Sequence, residues 1–313
     1  MSEKTIEKPT PNDAMTMERE AEAEERAAAR QASLLKDGWA ELRKRPMFIT
    51  SAAVIVLLLL LAIAPSLFTA RSPFTDGFCQ LTNSMDPPSS GHLFGYDVQG
   101  CDIYTRTVWG ARNSIVVGVV TTIGTTLLGG LLGMLAGLVG GWIDAVLSRI
   151  TEVFSALPII IGGLLIMSIF RTGDVWTVSF VMTTLGWPQV FRIMRGEVIS
   201  NKYHDYVLAA RALGADSWRI AFRHILPNTL APVIVITTMN LGVYIAAEAA
   251  LSYLGIGIQP PNISWGLMIS DAQDRFLTSP HALLFPAGAL SITVLAFIML
   301  GDVVRDAFDP KMR

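Results

Sequence analysis

Charge is scarce in this sequence. Only 16% of its 313 residues are Asp, Glu, Lys or Arg, against 51% that are hydrophobic. A soluble domain of that length needs more surface charge, so the composition excludes one and indicates a chain that crosses a bilayer several times. The net charge of -2 leaves no basic excess for nucleic acid. Catalytic signatures are missing too: there is no Walker A glycine loop, no H-E-x-x-H and no G-x-S-x-G. Histidine is rare, and His92, His204, His224 and His281 all lie outside the long apolar runs. An intramembrane enzyme, which needs a catalytic pair inside the spans, is thereby disfavoured, and the chain is expected to be no enzyme and to bind no metal. An ion-coupled secondary transporter would carry inverted repeats and several intramembrane charges. No such repeat is visible, and Glu248 alone falls deep in an apolar run.

What is present is a series of six apolar segments, near 47–68, 110–137, 143–170, 174–195, 229–256 and 283–304. Each has about 20 residues or more, enough for a hydrocarbon core of about 30 Å. The fourth is interrupted by Gly186, Trp187, Pro188 and Gln189, and Pro158 predicts a kink in the third. The first run begins far from the N-terminus with no small-residue cleavage site after it, so it is expected to remain as an anchor. With the N-terminus inside, nineteen of the 24 Lys and Arg residues fall on the cytoplasmic side. That asymmetry puts both termini in the cytoplasm.

The domain order expected is a cytoplasmic tail and interfacial helix at 1–46, a first span at 47–69 and an extracytoplasmic loop at 70–108. A core follows at 109–304, with a cytoplasmic end at 305–313. The tail is rich in Ala and Glu and suits a solvated helix or disorder. Leu35, Trp39 and Leu42 then share a helical face beside Lys36, Arg43, Lys44 and Arg45, as an interfacial helix requires. The loop at 70–108 is rich in turn residues and holds both cysteines, Cys79 and Cys101. An extracytoplasmic position permits a disulfide worth roughly 3 kcal/mol; the other arrangement is two buried free thiols.

Four features invite a role. Gly129, Gly133, Gly137 and Gly141 form an i, i+4 ladder that lets a partner helix, from this chain or another, approach closely. Asp144, Arg149 and Glu152 are near enough in sequence to pair at the start of the third span. A carboxylate at Glu248 should face the bundle interior or a wet cavity, either as a hydrogen-bonding link between helices or along the path of a cationic substrate group. The fourth feature is the polar, basic stretch Tyr203–Asn228 between apolar segments. Its pattern predicts a helix through Tyr206, Ala209, Ala210 and Leu213, a turn at Gly214, and a cap at Asp216 or Ser217. A second helix comes next, with an apolar face of Trp218, Phe222 and Leu226, closed by Pro227.

That stretch resembles the cytoplasmic loop of binding-protein-dependent ABC importer permeases. Ala209, Ala210, Gly214, Leu226 and Pro227 stand at the family's positions, while Leu208 and His224 replace its Glu and Ile. Three further runs fit the dipeptide, oligopeptide and nickel branch, as its C-type inner-membrane subunit. Before the second span these are Gly95, Asp97, Gly100, Asp102, Gly110 and Arg112, with Tyr96 and Cys101 departing from the pattern. After the fifth they are Leu251, Ser252, Leu254, Gly255, Gln259, Pro260, Pro261, Ser264, Trp265 and Gly266. At the end they are Gly301, Asp302, Arg305, Asp306, Asp309 and Pro310.

The resemblance implies an all-α membrane protein of type I importer fold, with six transmembrane helices, cytoplasmic coupling helices and an extracytoplasmic loop between helices 1 and 2. It implies a permease in the bacterial cytoplasmic membrane that moves peptides by alternating access, with nickel as the alternative cargo. Partners would be a homologous permease subunit, two ATPase subunits that hold ATP and Mg, and an extracytoplasmic binding protein. This chain itself would bind no cofactor. ATPase coupling would fall to Ala209, Ala210, Arg211, Gly214, Ala215, Trp218, Phe222, Leu226 and Pro227. The translocation path would include Glu248, Gln259 and Trp265. The loop at 70–108 would be a cap that contacts the binding protein, although Asp97 and Asp102 suit plain loop capping equally well.

Overall fold

The computed structural model describes residue 43, residues 45–170 and residues 172–308. The expected N-terminal tail, the interfacial helix of Leu35, Trp39 and Leu42, and the final residues Asp309 and Pro310 lie outside them. Nine helices of eight or more residues carry the described chain: α1 (Pro46–Ile63), α2 (Ile103–Val139), α3 (Gly141–Ser155), α4 (Ile159–Ile169), α5 (Val175–Asn201), α6 (Asp205–Ala212), α7 (Leu226–Tyr253), α8 (Trp265–Ala272) and α9 (His281–Phe308). Among the described residues, four helical segments are long and apolar enough to cross a membrane: α1, α2, α9 and the run Ser217–Tyr253 that contains α7.

The third span is not one straight rod. α3 and α4 pass the same test only together, and they meet at an 87° bend. Pro158 caps the second piece with extended backbone, so the predicted kink is a full elbow. α5 departs from expectation in the opposite way. It runs through Gly186, Trp187, Pro188 and Gln189 without a break. Proline removes one rung of the helix, and the packed surroundings hold the rest: the Tyr244 hydroxyl donates to the Gly186 carbonyl at 3.4 Å. α5 spans 27 residues but carries Arg192, Arg195 and Glu197, so composition alone does not mark it as a span.

α2 and α5 form the spine. Gly129, Gly133 and Gly137 face α5 so closely that a Cβ would stand 2.6 Å from the Trp187 carbonyl at Gly129 and 2.6 Å from the Phe191 carbonyl at Gly133. At Gly137 it would stand 2.7 Å from Val198. The partner helix is therefore in this chain. Gly141 does not belong to the ladder: it opens α3 at φ +58 with nothing near its absent Cβ. The ladder ends because α2 ends, at Val139.

The ionic groups at the start of α3 pair differently from their sequence order. Arg149 bonds Glu152 at 2.6 Å, but Asp144 reaches across to Arg195 on α5. Helix starts are capped as their sequences prescribe: Asp102 accepts from the Thr105 amide at 2.8 Å, Asp174 from the Trp176 and Thr177 amides, and Ser264 from the Leu267 amide at 3.2 Å.

Candidate functional site: the hairpin and the outer cap

The stretch between α5 and α7 folds back on itself. α6 ends at Ala212 and the chain turns at Gly214, whose φ of +84 belongs to the left-handed region that a Cβ disfavours. Asp216 caps the second limb, accepting from the Arg219 amide at 2.8 Å. That limb differs from expectation. Ser217–Arg219 passes into a π-helical turn, Ile220–Ile225, and then directly into α7. Pro227 does not close a helix; it sits in the first turn of α7, directly after the π-helical turn.

The predicted apolar face also divides differently. Val207, Ile220, Ala221 and Ile225 are the buried side, packed with Met134, Val190, Met194, Val198 and Val233. Trp218 and Phe222 lie on the other side, 71% and 48% exposed, with rings stacked at 5.2 Å. Tyr203, Leu208 and Leu213 are exposed with them. Of the other residues predicted to couple, Ala209 and Arg211 are exposed, while Ala210, Ala215 and Leu226 are half-buried. One clasp pins the hairpin to its neighbours. The Tyr206 hydroxyl donates to Asn201 Oδ1 at 2.9 Å and accepts from Asn228 Nδ2 at 3.3 Å, and burial pushes the phenol above its ordinary range.

The three residues assigned to a path are not gathered at one place. Glu248 is fully buried, and the Ser252 hydroxyl donates to its Oε1 at 2.7 Å. The hydroxyls of Ser264 and Ser114 lie against the same carboxyl, and Oε2 has no partner of hydrogen-bond geometry among the described residues. Trp265 is buried beside it, its indole donating to the Thr107 carbonyl at 2.8 Å and its amide to Ser114 Oγ at 3.3 Å. Glu248 and Trp265 therefore share one junction of α2, α7 and α8. Gln259 is elsewhere, folding back to donate to the Gly255 carbonyl at 2.8 Å.

In the loop between α1 and α2, Cys79 and Cys101 form a disulfide that closes 22 residues of sequence. Asp97 accepts from the Gln99 and Cys101 amides, each at 2.9 Å. Its other oxygen pairs with Arg106. Asp102, besides capping α2, bonds His92 at 3.0 Å. Both aspartates thus serve the loop's own architecture. A cavity of about 560 Å³, which nothing in the sequence announces, opens beside them between Arg71, Gln80, His92, Tyr96, Asp102 and Tyr104. No cluster of three His, Cys, Asp or Glu residues suited to a metal occurs among the described residues.

Comparison with known proteins agrees with this architecture. Residues 129–313 match the family described as binding-protein-dependent transport system inner membrane component. Residues 33–87 match the N-terminal TM domain of oligopeptide transport permease C. The chain is 38% identical to the oligopeptide transport system permease protein OppC of Bacillus subtilis (strain 168), over 92% of this chain and 93% of that one. It is 36% identical to the dipeptide transport system permease protein DppC of the same organism, over 90% and 87%. It is 37% identical to the glutathione transport system permease protein GsiD of Shigella flexneri serotype 5b (strain 8401), over 88% and 90%. A structure of the MetNI methionine ABC transporter in an inward-facing conformation aligns with a TM-score of 0.55 at 18% identity, over 65% of this chain and 97% of that one, and supports the fold. The chain belongs to the inner-membrane-component family of binding-protein-dependent transport systems and is a multi-pass membrane permease subunit.

Proposed function

We propose that this chain is the C-type permease subunit of an ATP-driven peptide importer, and that its hairpin is where one of the two ATPase subunits engages the assembly. The observation that carries this is the hairpin's division into two faces. Val207, Ile220, Ala221 and Ile225 anchor it in the bundle, while Trp218 and Phe222 stand in the open. Exposed stacked aromatics beside Leu208 and Leu213 are what a protein partner buries, since an isolated membrane subunit gains nothing from presenting them to water. The limb that carries them is continuous with α7, so movement of the hairpin moves a membrane helix.

Both termini and the hairpin are cytoplasmic in this reading, from the basic-residue asymmetry, and the cap of residues 70–108 faces the binding protein. A homologous permease completes the pathway, and ATP with Mg resides on the ATPases. This chain supplies no catalyst; it alternates between inward and outward access because ATP and loaded binding protein favour different states. Peptide is preferred to nickel as cargo because the named relatives act on oligopeptides, dipeptides and glutathione.

The test is purification of the complete assembly with Trp218→Ala and Phe222→Ala together, followed by uptake of di-, tri- and pentapeptides and of nickel. Loss of the ATPase from an intact permease pair supports the reading. Full retention with wild-type uptake overturns it.

A further inference from the structure

Two buried polar junctions at the cap end of the bundle are not explained by coupling at the hairpin. The first is centred on Arg106, in the first turn of α2 and almost wholly enclosed. One terminal nitrogen pairs with Asp97 of the cap, and the other lies 3.7 Å from Asp271 of α8. Asp97 is itself held by the amides of Gln99 and Cys101, and Cys101 carries the disulfide to Cys79. The second junction is Glu248, where Ser252 of α7, Ser114 of α2 and Ser264 at the start of α8 converge. The Ser252 hydroxyl also accepts from the Ile258 amide at 2.9 Å, fixing the loop that leads to α8.

A buried arginine between two carboxylates is a stiff fastening, because desolvation raises the penalty for separating any member. At Glu248 one hydroxyl, from Ser252, is bonded to the carboxyl and those of Ser114 and Ser264 lie against it, so α2, α7 and the start of α8 are packed together at a second buried polar point. The two share α8: Ser264 caps its start and Asp271 lies near its end. α7, fastened here, continues without a break into the limb that bears Trp218.

The geometry points to Arg106 and Glu248 as positioning residues that fasten the cap to α8 and α8 to α7, so that a loaded binding protein seated on the cap acts on the hairpin through this linkage. The inference rests on the cap and hairpin assignments above. It assigns Glu248 to the linkage and not to contact with cargo.

The experiment uses the complete assembly in lipid nanodiscs with its ATPases and peptide-loaded binding protein. Three quantities are measured: basal ATP hydrolysis, its stimulation by the loaded binding protein, and the Kd of the binding protein. Arg106→Gln is expected to reduce stimulation at least fivefold, with the basal rate and Kd each within twofold of wild type. Arg106→Lys should restore part of it. A merely structural role would instead shift Kd or basal rate along with stimulation. If Arg106→Gln yields no folded complex, Asp271→Asn, on the more open side of the junction, decides the matter with the same readouts. Unchanged stimulation in a folded variant overturns the linkage while leaving the proposed function intact. A wild-type assembly that retains no ATPase overturns both.

Discussion

Arg195 of α5 grips Asp144 of α3 with two parallel hydrogen bonds, Nη2 to Oδ2 at 2.6 Å and Nε to Oδ1. Both side chains are partly buried, and the pair spans 51 residues of sequence. It fixes the start of α3 to the spine, at the end of that helix away from the elbow. Asp144→Ala should destabilise the folded subunit by about 1.5–3 kcal/mol, the usual worth of a hydrogen bond to a charged group. Exchanging the two residues, Asp144→Arg with Arg195→Asp, should recover part of the loss. Unfolding in mixed detergent would measure both. A single variant as stable as wild type would show that the pair contributes nothing.

Neighbouring glycines on α2 should respond with opposite sign. At Gly133 a side chain meets the Phe191 carbonyl, so Gly133→Val should cost about 1–3 kcal/mol by overpacking. At Gly130 the nearest atom is the end of Met194, 3.7 Å away, so Gly130→Ala should stabilise the helix by about 0.5–1 kcal/mol. Thermal stability of the two purified variants tests the face assignment. Equal effects would mean that α2 is turned differently.

At Gly214 there is open space where a side chain would go, so only backbone strain opposes substitution. Gly214→Val should leave the membrane bundle folded while abolishing most peptide uptake. Uptake at the wild-type rate, with the variant present at normal level, would count against the hairpin's role.

Replacing Cys79 and Cys101 by serine should loosen the loop that they close, at a cost of roughly 3 kcal/mol confined to the cap. Limited proteolysis between residues 77 and 100 is expected to quicken, and wild-type protein should acquire two alkylatable thiols only after reduction. Unchanged cleavage in the double variant would remove the disulfide from the cap's stability.

Asp271 provides a pH signature. Burial raises its carboxyl above the ordinary value of 3.8, although Arg106 lowers it; Asp97 adds a further rise. A native carboxyl that holds its proton more tightly than the unfolded chain stabilises the fold when protonated. That contribution is complete below the ordinary carboxylate range and is lost as pH rises through the raised native value. Asp271→Asn should therefore gain on wild type as pH increases from about 4 towards 7. Melting curves that stay parallel across that range would refute the assignment.

Four spans are legible in the sequence as long apolar runs, α5 is the weakest because polar and charged residues interrupt it, and the hairpin is legible because Gly214 and Asp216 carry unambiguous backbone signals. Proline is where local reading misleads. Pro188 lies inside α5, which packed neighbours keep whole; Pro227 opens α7, since the same residue suits a helix start as well as a stop. Pro158 announces a bend, but a proline alone does not specify its 87° angle. Trp218 and Phe222 show helical spacing, which cannot tell an inward face from one left for a partner. Glu248 is conspicuous as a charge among apolar residues, yet the three serines beside it come from α2, the end of α7 and the start of α8, up to 150 residues apart in sequence (Ser114 to Ser264). No local window contains that convergence.

The glycines of α2 have one more effect. Two backbones in such intimate contact cannot slide along each other without steric collision, and parting them forfeits their close packing, so α2 and α5 travel as a single block through the transport cycle. The play in the machine is thereby left to the pieces hung on that block: the right-angled α3–α4 elbow and the limb that swings beneath α7.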